Sequence, residues 1–239
     1  GFWVAGFIRM YPHTLSFFNQ LVGGARNGAD YLVDSNLDWG QHLKELKTWM
    51  DEQGISRINL AYFGMADPKY YGIEGVLLPG TSAVDRNQIA KPELPGYVAV
   101  SATIMSGVSF TPEWRLFYAG FKNLEPVATI GNTIDVFWVE HWPEEEIAAD
   151  GPPNDQEIEQ QYSLALGLTE LGWMEQAILH FQQYLRYRPA SGKGYAYMGH
   201  ALARLARNGE AAQALRRAVT FEPQRSEYRG ELVLVLIDL

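Results

Sequence analysis

With 239 residues the chain is long enough for two domains, each able to bury a core of its own. A hydrophobic fraction of 47% against 20% charged residues describes a folded chain, and a net charge of −9 argues against nucleic acid as a partner. Cysteine is absent, which removes disulfides, thiolate metal sites and thiol catalysis and leaves the redox compartment open.

Taken in chain order, no apolar run reaches the roughly 18–20 residues that span a bilayer. The nearest at the N-terminus, Phe2 to Ile8, is stopped by Arg9. Because the chain starts at Gly1 and not at Met, it reads as a piece, and Phe2 to Ile8 as either the stump of a membrane helix or a first buried segment. Pro12 to Val22 is amphipathic and closes at Gly23-Gly24, a helix with a glycine stop. Tyr31 to Val33 is a strand. Asp38 to Gln53 is a helix, with Leu43, Leu46, Trp49 and Met50 at spacings of three and four and Gly54 as its end. Ile58 to Phe63 is the next strand, so the order strand, helix, strand implies two parallel strands joined by a right-handed crossover. After a stretch rich in glycine and proline, Tyr97 to Ile104 reads as a strand, Pro112 to Gly120 as a short helix, and Ala128 to Ile130 and Ile134 to Val139 as strands able to extend the sheet, in antiparallel fashion as one option. Residues 1–142 are therefore expected to be an α/β domain, a mixed sheet with flanking helices.

The candidate chemistry of that domain lies at the end of its first strand, where Asp34, Asn36, Asp38, Trp39 and Gln41 follow one another. Ligands of α/β sheets tend to sit just beyond the carboxyl ends of strands. The spacing of Asp34, Asn36 and Asp38, with Glu45 at the twelfth place, opens like a calcium loop, but the sixth place needs glycine and holds Trp39. Two readings remain. In one, Ser35 or Asp38 caps the following helix, Asn36 fixes the turn, and Trp39 and Gln41 pack within the domain. In the other, the group binds a polar ligand such as a sugar, with Asp34 the residue that capping does not account for. Tyr70 and Tyr71, beside Pro68 and Gly72 in an irregular segment, form a second candidate lining for a sugar or a partner. Gly23 to Gly28 follows a helix and leads into a strand, the reverse of a phosphate-binding loop. The five histidines lack metal-ligand spacing, and Ser106 has Ile104 and Val108 where a hydrolase elbow needs glycines. Neither a metal nor a cofactor is expected.

Acidic residues, prolines and a glycine crowd residues 143–157, which read as a linker. Beyond it, over 158–239, an internal repeat appears. Ala211, Leu215, Ala218 and Pro223 stand 34 residues after Ala177, Phe181, Tyr184 and Pro189. A 34-residue period with small residues where helices cross and a closing proline resembles the tetratricopeptide repeat. Two units, 158–191 and 192–225, are expected, with 226–239 the first helix of a third unit or a cap. Its run Leu232 to Ile237 is too apolar to stay uncovered. The concave positions should include Tyr162, Leu166, Lys193, Ala196, His200 and Arg204, a groove for a protein partner with carboxylates.

Three ordered stretches carry a family resemblance: "YPHTLSFFNQLVGG" (Tyr11 to Gly24), "LVDSNLDWGQHLKELKTW" (Leu32 to Trp49) and "LAYFGMADPKYYGI" (Leu60 to Ile73). They resemble a region of bacterial membrane proteins of the phospholipid-carrier-dependent glycosyltransferase family, which are similar to protein O-mannosyltransferases. The matching region follows the last membrane spans there, and tetratricopeptide repeats often come after it. The sequence departs at His42, where an aspartate is more usual after "DWGQ". In the family, sugar transfer depends on acidic residues in a loop near the start of the membrane domain, a portion this chain does not include. The resemblance thus implies a non-catalytic accessory domain on the periplasmic, extracytoplasmic face of a bacterial inner membrane. It would be attached through a transmembrane segment missing from this chain or neighbouring it. Partners would be a protein, held by the repeats and the apolar last helix, and a glycan. The alternatives are a scaffold subunit of a larger membrane complex, or a carbohydrate-binding or carbohydrate-active domain using Asp34 and Asp38.

Overall fold

The computed structural model describes residues 39–81, 89–107, 110, 114, 116–143 and 153–238. It divides into two compact units, with the boundary between Glu145 and Glu146.

Among the described residues the first unit is built on a five-stranded mixed sheet. Its strands are β1 (Ile58–Ala61), β2 (Gly75–Leu77), β3 (Gly96–Ser101), β4 (Ala128–Ile130) and β5 (Ile134–Val139), in the spatial order β2-β1-β3-β5-β4. β1 runs parallel to β2 and β3, while β5 is antiparallel to both β3 and β4. Every residue of β1 is buried, as expected of a central strand covered on both faces. One cover is helix α1 (Leu43–Glu52), whose Leu43, Leu46 and Met50 pack on Ile58, Leu60, Ala99, Ile134 and Val136. The other face carries aromatic groups: Phe137 meets Phe121 at 5.1 Å between ring centres, and Trp142 stacks on Phe117 at 4.6 Å. Trp142 donates its indole N–H to Phe117 O, and Tyr118 donates its hydroxyl to Pro79 O. The polar ends of these buried rings are thereby satisfied.

Several expected boundaries move for local reasons. α1 opens at Leu43 and not at Asp38, because Gly40 takes a positive φ of 76° and lies against the Tyr62 ring. His42 occupies the cap position without a side-chain capping bond, so neither Ser35 nor Asp38 is the cap of this helix. The strand expected to reach Ile104 stops at Ser101. There the chain turns into the short helix α2 (Ala102–Ser106), and Ala102 N–H donates to Thr133 O. Ile104 is buried all the same, and burial without clean alternation does not tell a strand from a helical turn. Tyr70 and Tyr71 belong to a 3-10 turn, Pro68–Tyr71, opened by the Asp67 carboxylate accepting from Lys69 N–H. Residues 112, 113 and 115 of the helix expected at Pro112 to Gly120 lie outside the described residues, and Ala119–Asn123 is a 3-10 turn. The strand expected at Tyr31 to Val33, with its crossover, and the helix at Pro12 to Val22 lie outside the described residues.

The second unit is all helical: α3 (Asp155–Glu170), α4 (Met174–Tyr187), α5 (Gly192–Arg204), α6 (Asn208–Phe221) and α7 (Ser226–Ile237). The architecture is thus α/β followed by helices. α4 and α6 start and end 34 residues apart (174 to 208, 187 to 221), and α5 and α7 start 34 apart (192 to 226). Gly199 explains how closely α5 and α6 cross, since a Cβ there would lie 2.8 Å from Leu215 Cγ. α3 begins three residues ahead of the expected boundary at 158. Asn154 accepts from Glu157 N–H while the Glu157 carboxylate accepts from Asn154 N–H, a reciprocal capping box.

Candidate functional site

The sequence-predicted site residues that are described lie in both units. In the first unit, Trp39 and Gly40 lie against the segment that leaves the carboxyl end of β1. A Cβ on Gly64 would lie 2.4 Å from Trp39 O, and one on Gly40 would meet the Tyr62 ring at 3.0 Å. The Trp39 ring is 49% exposed and tilts over Phe63 at 5.5 Å. Trp39 N–H donates to Gln41 Oε1 at 2.6 Å, so the glutamine braces the turn that presents the indole. His42 next to it is buried, with Nδ1 2.6 Å from Thr133 Oγ1 on the β4–β5 turn. Tyr62 donates its hydroxyl to Ala66 O, and burial, helped by Asp67 and Tyr71, pushes its pKa up to about 12. This end of the sheet therefore offers an exposed indole on a braced turn. Asp34, Asn36 and Asp38 lie outside the described residues.

Tyr70 and Tyr71 face different surroundings. Their rings meet edge to face at 5.3 Å, but Tyr71 packs into the α1 core while Tyr70 stands 87% exposed. The hollow of about 430 Å³ beside them is lined by Asp67, Pro68 and Lys69 and by neither tyrosine.

In the second unit the face formed by α3, α5 and α7 gathers aromatic and charged groups. Tyr162 on α3 is half-buried, 5.0 Å from Tyr184 and 6.0 Å from Tyr197 between ring centres. Burial is the first cause that pushes its pKa upward, with Tyr197, Tyr184 and Glu159 adding to it. Lys193 Nζ sits 4.2 Å from the centre of the Tyr162 ring and 3.2 Å from Glu159 Oε2. Burial works to lower the lysine pKa, yet the hydrogen bond to Glu159 and the nearby tyrosine outweigh it, and the net shift is upward. Lys193 is thus a held cation whose carboxylate partner is supplied in cis. Leu166 is half-buried, whereas His200 and Arg204 are exposed. His200 lies near enough to Glu231 on α7 to draw down a carboxyl that burial raises.

Ala196, expected on this face, is buried, and the position belongs to Tyr197, 43% exposed and stacked over Phe181 at 6.3 Å. Tyr197 stands four residues after Lys193 and three before His200, so helical spacing alone points to it. No family model matches the chain, and no curated protein matches it.

Proposed function

We propose that the chain is a non-catalytic interaction module in which the second unit, a short array of tetratricopeptide-type repeats, docks a protein partner. The observation that carries this reading is the stripe Lys193, Tyr197, His200 and Arg204 along one side of α5, flanked by Tyr162 on α3 and Glu231 on α7. Surfaces lined by the first helices of stacked repeats suit extended peptides. Tyrosine and arginine are the residue types that dominate such contacts. With Lys193 engaged by Glu159, the charge open to a carboxylate-bearing segment comes from Arg204.

The resemblance of Leu32 to Ile73 to the membrane glycosyltransferase family supports placing this module at the extracytoplasmic face of a bacterial inner membrane. There it would serve a glycosyltransferase-like assembly, as accessory domain or scaffold subunit. Selection from a displayed random peptide library against the full chain tests the docking surface. Recovered peptides should carry carboxylates beside apolar residues and should lose about tenfold or more in affinity for the double variant His200→Glu, Arg204→Glu. Peptides that bind the double variant as tightly as the parent refute the assignment of this face.

A further inference from the structure

We propose that the first unit holds a second binding surface, at the end of β1 away from Trp39, which takes the flat face of a neutral pyranose within an oligosaccharide. This goes beyond the repeat-docking reading and does not depend on it.

The surface is a hollow of about 390 Å³ between the loop that leaves α1 and the start of β3. Its volume is in the range of small-molecule sites, about 300–1,000 Å³. Trp138 on β5 stands at its wall with 49% of its surface exposed, directly across the strand pair from Tyr97 on β3. The two rings meet at 4.8 Å and 72°, and Trp49 of α1 closes on Tyr97 at 5.9 Å and 85°. Three aromatic rings in an edge-to-face chain fix the Trp138 indole in orientation while leaving part of it to solvent. An indole face is electron-rich. The C–H groups on one side of a pyranose carry partial positive charge and form a flat apolar patch, so the two surfaces match.

The polar half of the hollow is as firmly built. Arg57 donates through Nε and Nη2 to the two Glu93 oxygens at 3.0 and 2.7 Å. This uses two of the five guanidinium N–H groups. Glu93 is held from behind by Asn59, which is buried. The Asn59 amide donates to Glu93 O at 3.0 Å and to Tyr97 O at 2.9 Å, and its oxygen accepts from Glu93 N–H at 2.7 Å. A single buried amide therefore fixes both the polar and the aromatic wall. The remaining lining groups, including Gln53 and Ser56, are uncharged, and Arg57 and Glu93 cancel. An anion would meet Glu93 and a cation would meet Arg57, whereas a polyol can use both groups. Arg57, Ile58 and Glu93 also line the neighbouring hollow of about 430 Å³, so the ion pair is a shared wall over which a chain of sugars could run. A proline-rich peptide would instead want slots between parallel rings, and the steep angle between Tyr97 and Trp138 offers one face.

The test uses the full chain with ¹⁵N-labelled indoles, titrated with cellohexaose, maltohexaose and the hexamer of N-acetylglucosamine. Affinities are read by calorimetry, and decaproline serves as comparator. We expect at least one saccharide to move the Trp138 indole resonance with a Kd of roughly millimolar or tighter. Trp138→Ala should weaken binding by about tenfold or more, Glu93→Gln by several-fold, and Trp138→Tyr, which keeps an aromatic face, by much less. The proposal is overturned if none of the saccharides binds at about 10 mM, if decaproline alone moves Trp138, or if Trp39→Ala abolishes binding while Trp138→Ala does not. Equal affinity in Glu93→Gln overturns the role given to the ion pair.

Discussion

Acidification should weaken the helical unit through one residue, His180. Its imidazole is buried on α4, with Nδ1 2.7 Å from Gln161 Oε1 on α3. The amide oxygen only accepts, so Nδ1 donates its N–H to it. Burial holds its pKa down at about 4, against an ordinary value of 6.5. Above pH 6.5 the ring is neutral in both folded and unfolded chains and costs nothing. Below 6.5 the unfolded chain takes up a proton that the folded chain refuses, so stability falls until the pH passes about 4. Each unit of difference is worth about 1.4 kcal/mol, so the loss across this window is on the order of 3 kcal/mol. Carboxylates titrate in the same range, among them Glu210, which Arg207 holds below its usual value. A difference against a non-titrating variant removes their share. Urea unfolding followed at 222 nm, at pH 7 and at pH 4.5, should show the parent losing about 2 kcal/mol more than His180→Gln over that interval. Equal losses in the two proteins would refute the assignment of a neutral, desolvated imidazole.

Asn154→Ala removes the side-chain arm of the capping box on α3, leaving the backbone N–H of residue 154 to Glu157, and should lower the urea midpoint by the equivalent of about 1 kcal/mol, with Asn154→Asp close to the parent. Gly199→Val places a branched side chain where a single Cβ already lies 2.8 Å from Leu215 Cγ, so α5 and α6 must separate. Thermal unfolding should register a cost of about 1–3 kcal/mol, and a midpoint at or above that of the parent would contradict the close crossing.

The helical unit was the more legible part because its rules are local and repeated. A period of 34 in Ala177, Phe181 and Tyr184 against Ala211, Leu215 and Ala218 reappears as the offset between α4 and α6. Even the missed start of α3 had a local signature, Asn154 followed three residues on by Glu157. The sheet was harder. β4 and β5 were placed to the residue, since a turn at Gly131 to Thr133 separates two apolar runs. β2 went unread, because three residues beginning with glycine have no period of their own, and the strand is defined by its pairing with β1. Site residues divided in the same way. His200 and Arg204 could be placed by helical spacing. The Lys193–Glu159 pair and the Trp138 hollow arise from residues 34 and more positions apart, and side-chain spacing along one segment carries no record of them.

The last helix follows the repeat in composition but not in steric detail. By the 34-residue offset Leu236 stands where Leu168 and Leu202 stand, two residues buried against a crossing helix, yet Leu236 is 41% exposed. Val233, Leu234 and Ile237 beside it are more exposed still, and among the described residues no helix lies over them as α6 lies over α5. A further unit of the same kind would cover Leu236, but the crossing point has changed. Position 165 is alanine and position 199 glycine, where the partner helix comes so close that a Cβ does not fit at 199, whereas position 233 is valine. A helix docking on α7 with the α5–α6 geometry would run into the Val233 isopropyl group. It would have to stand off by about the thickness of a methyl layer or cross at another angle. The apolar surface of α7 therefore favours a cover that packs differently from the preceding repeats, even though its leucine follows their register.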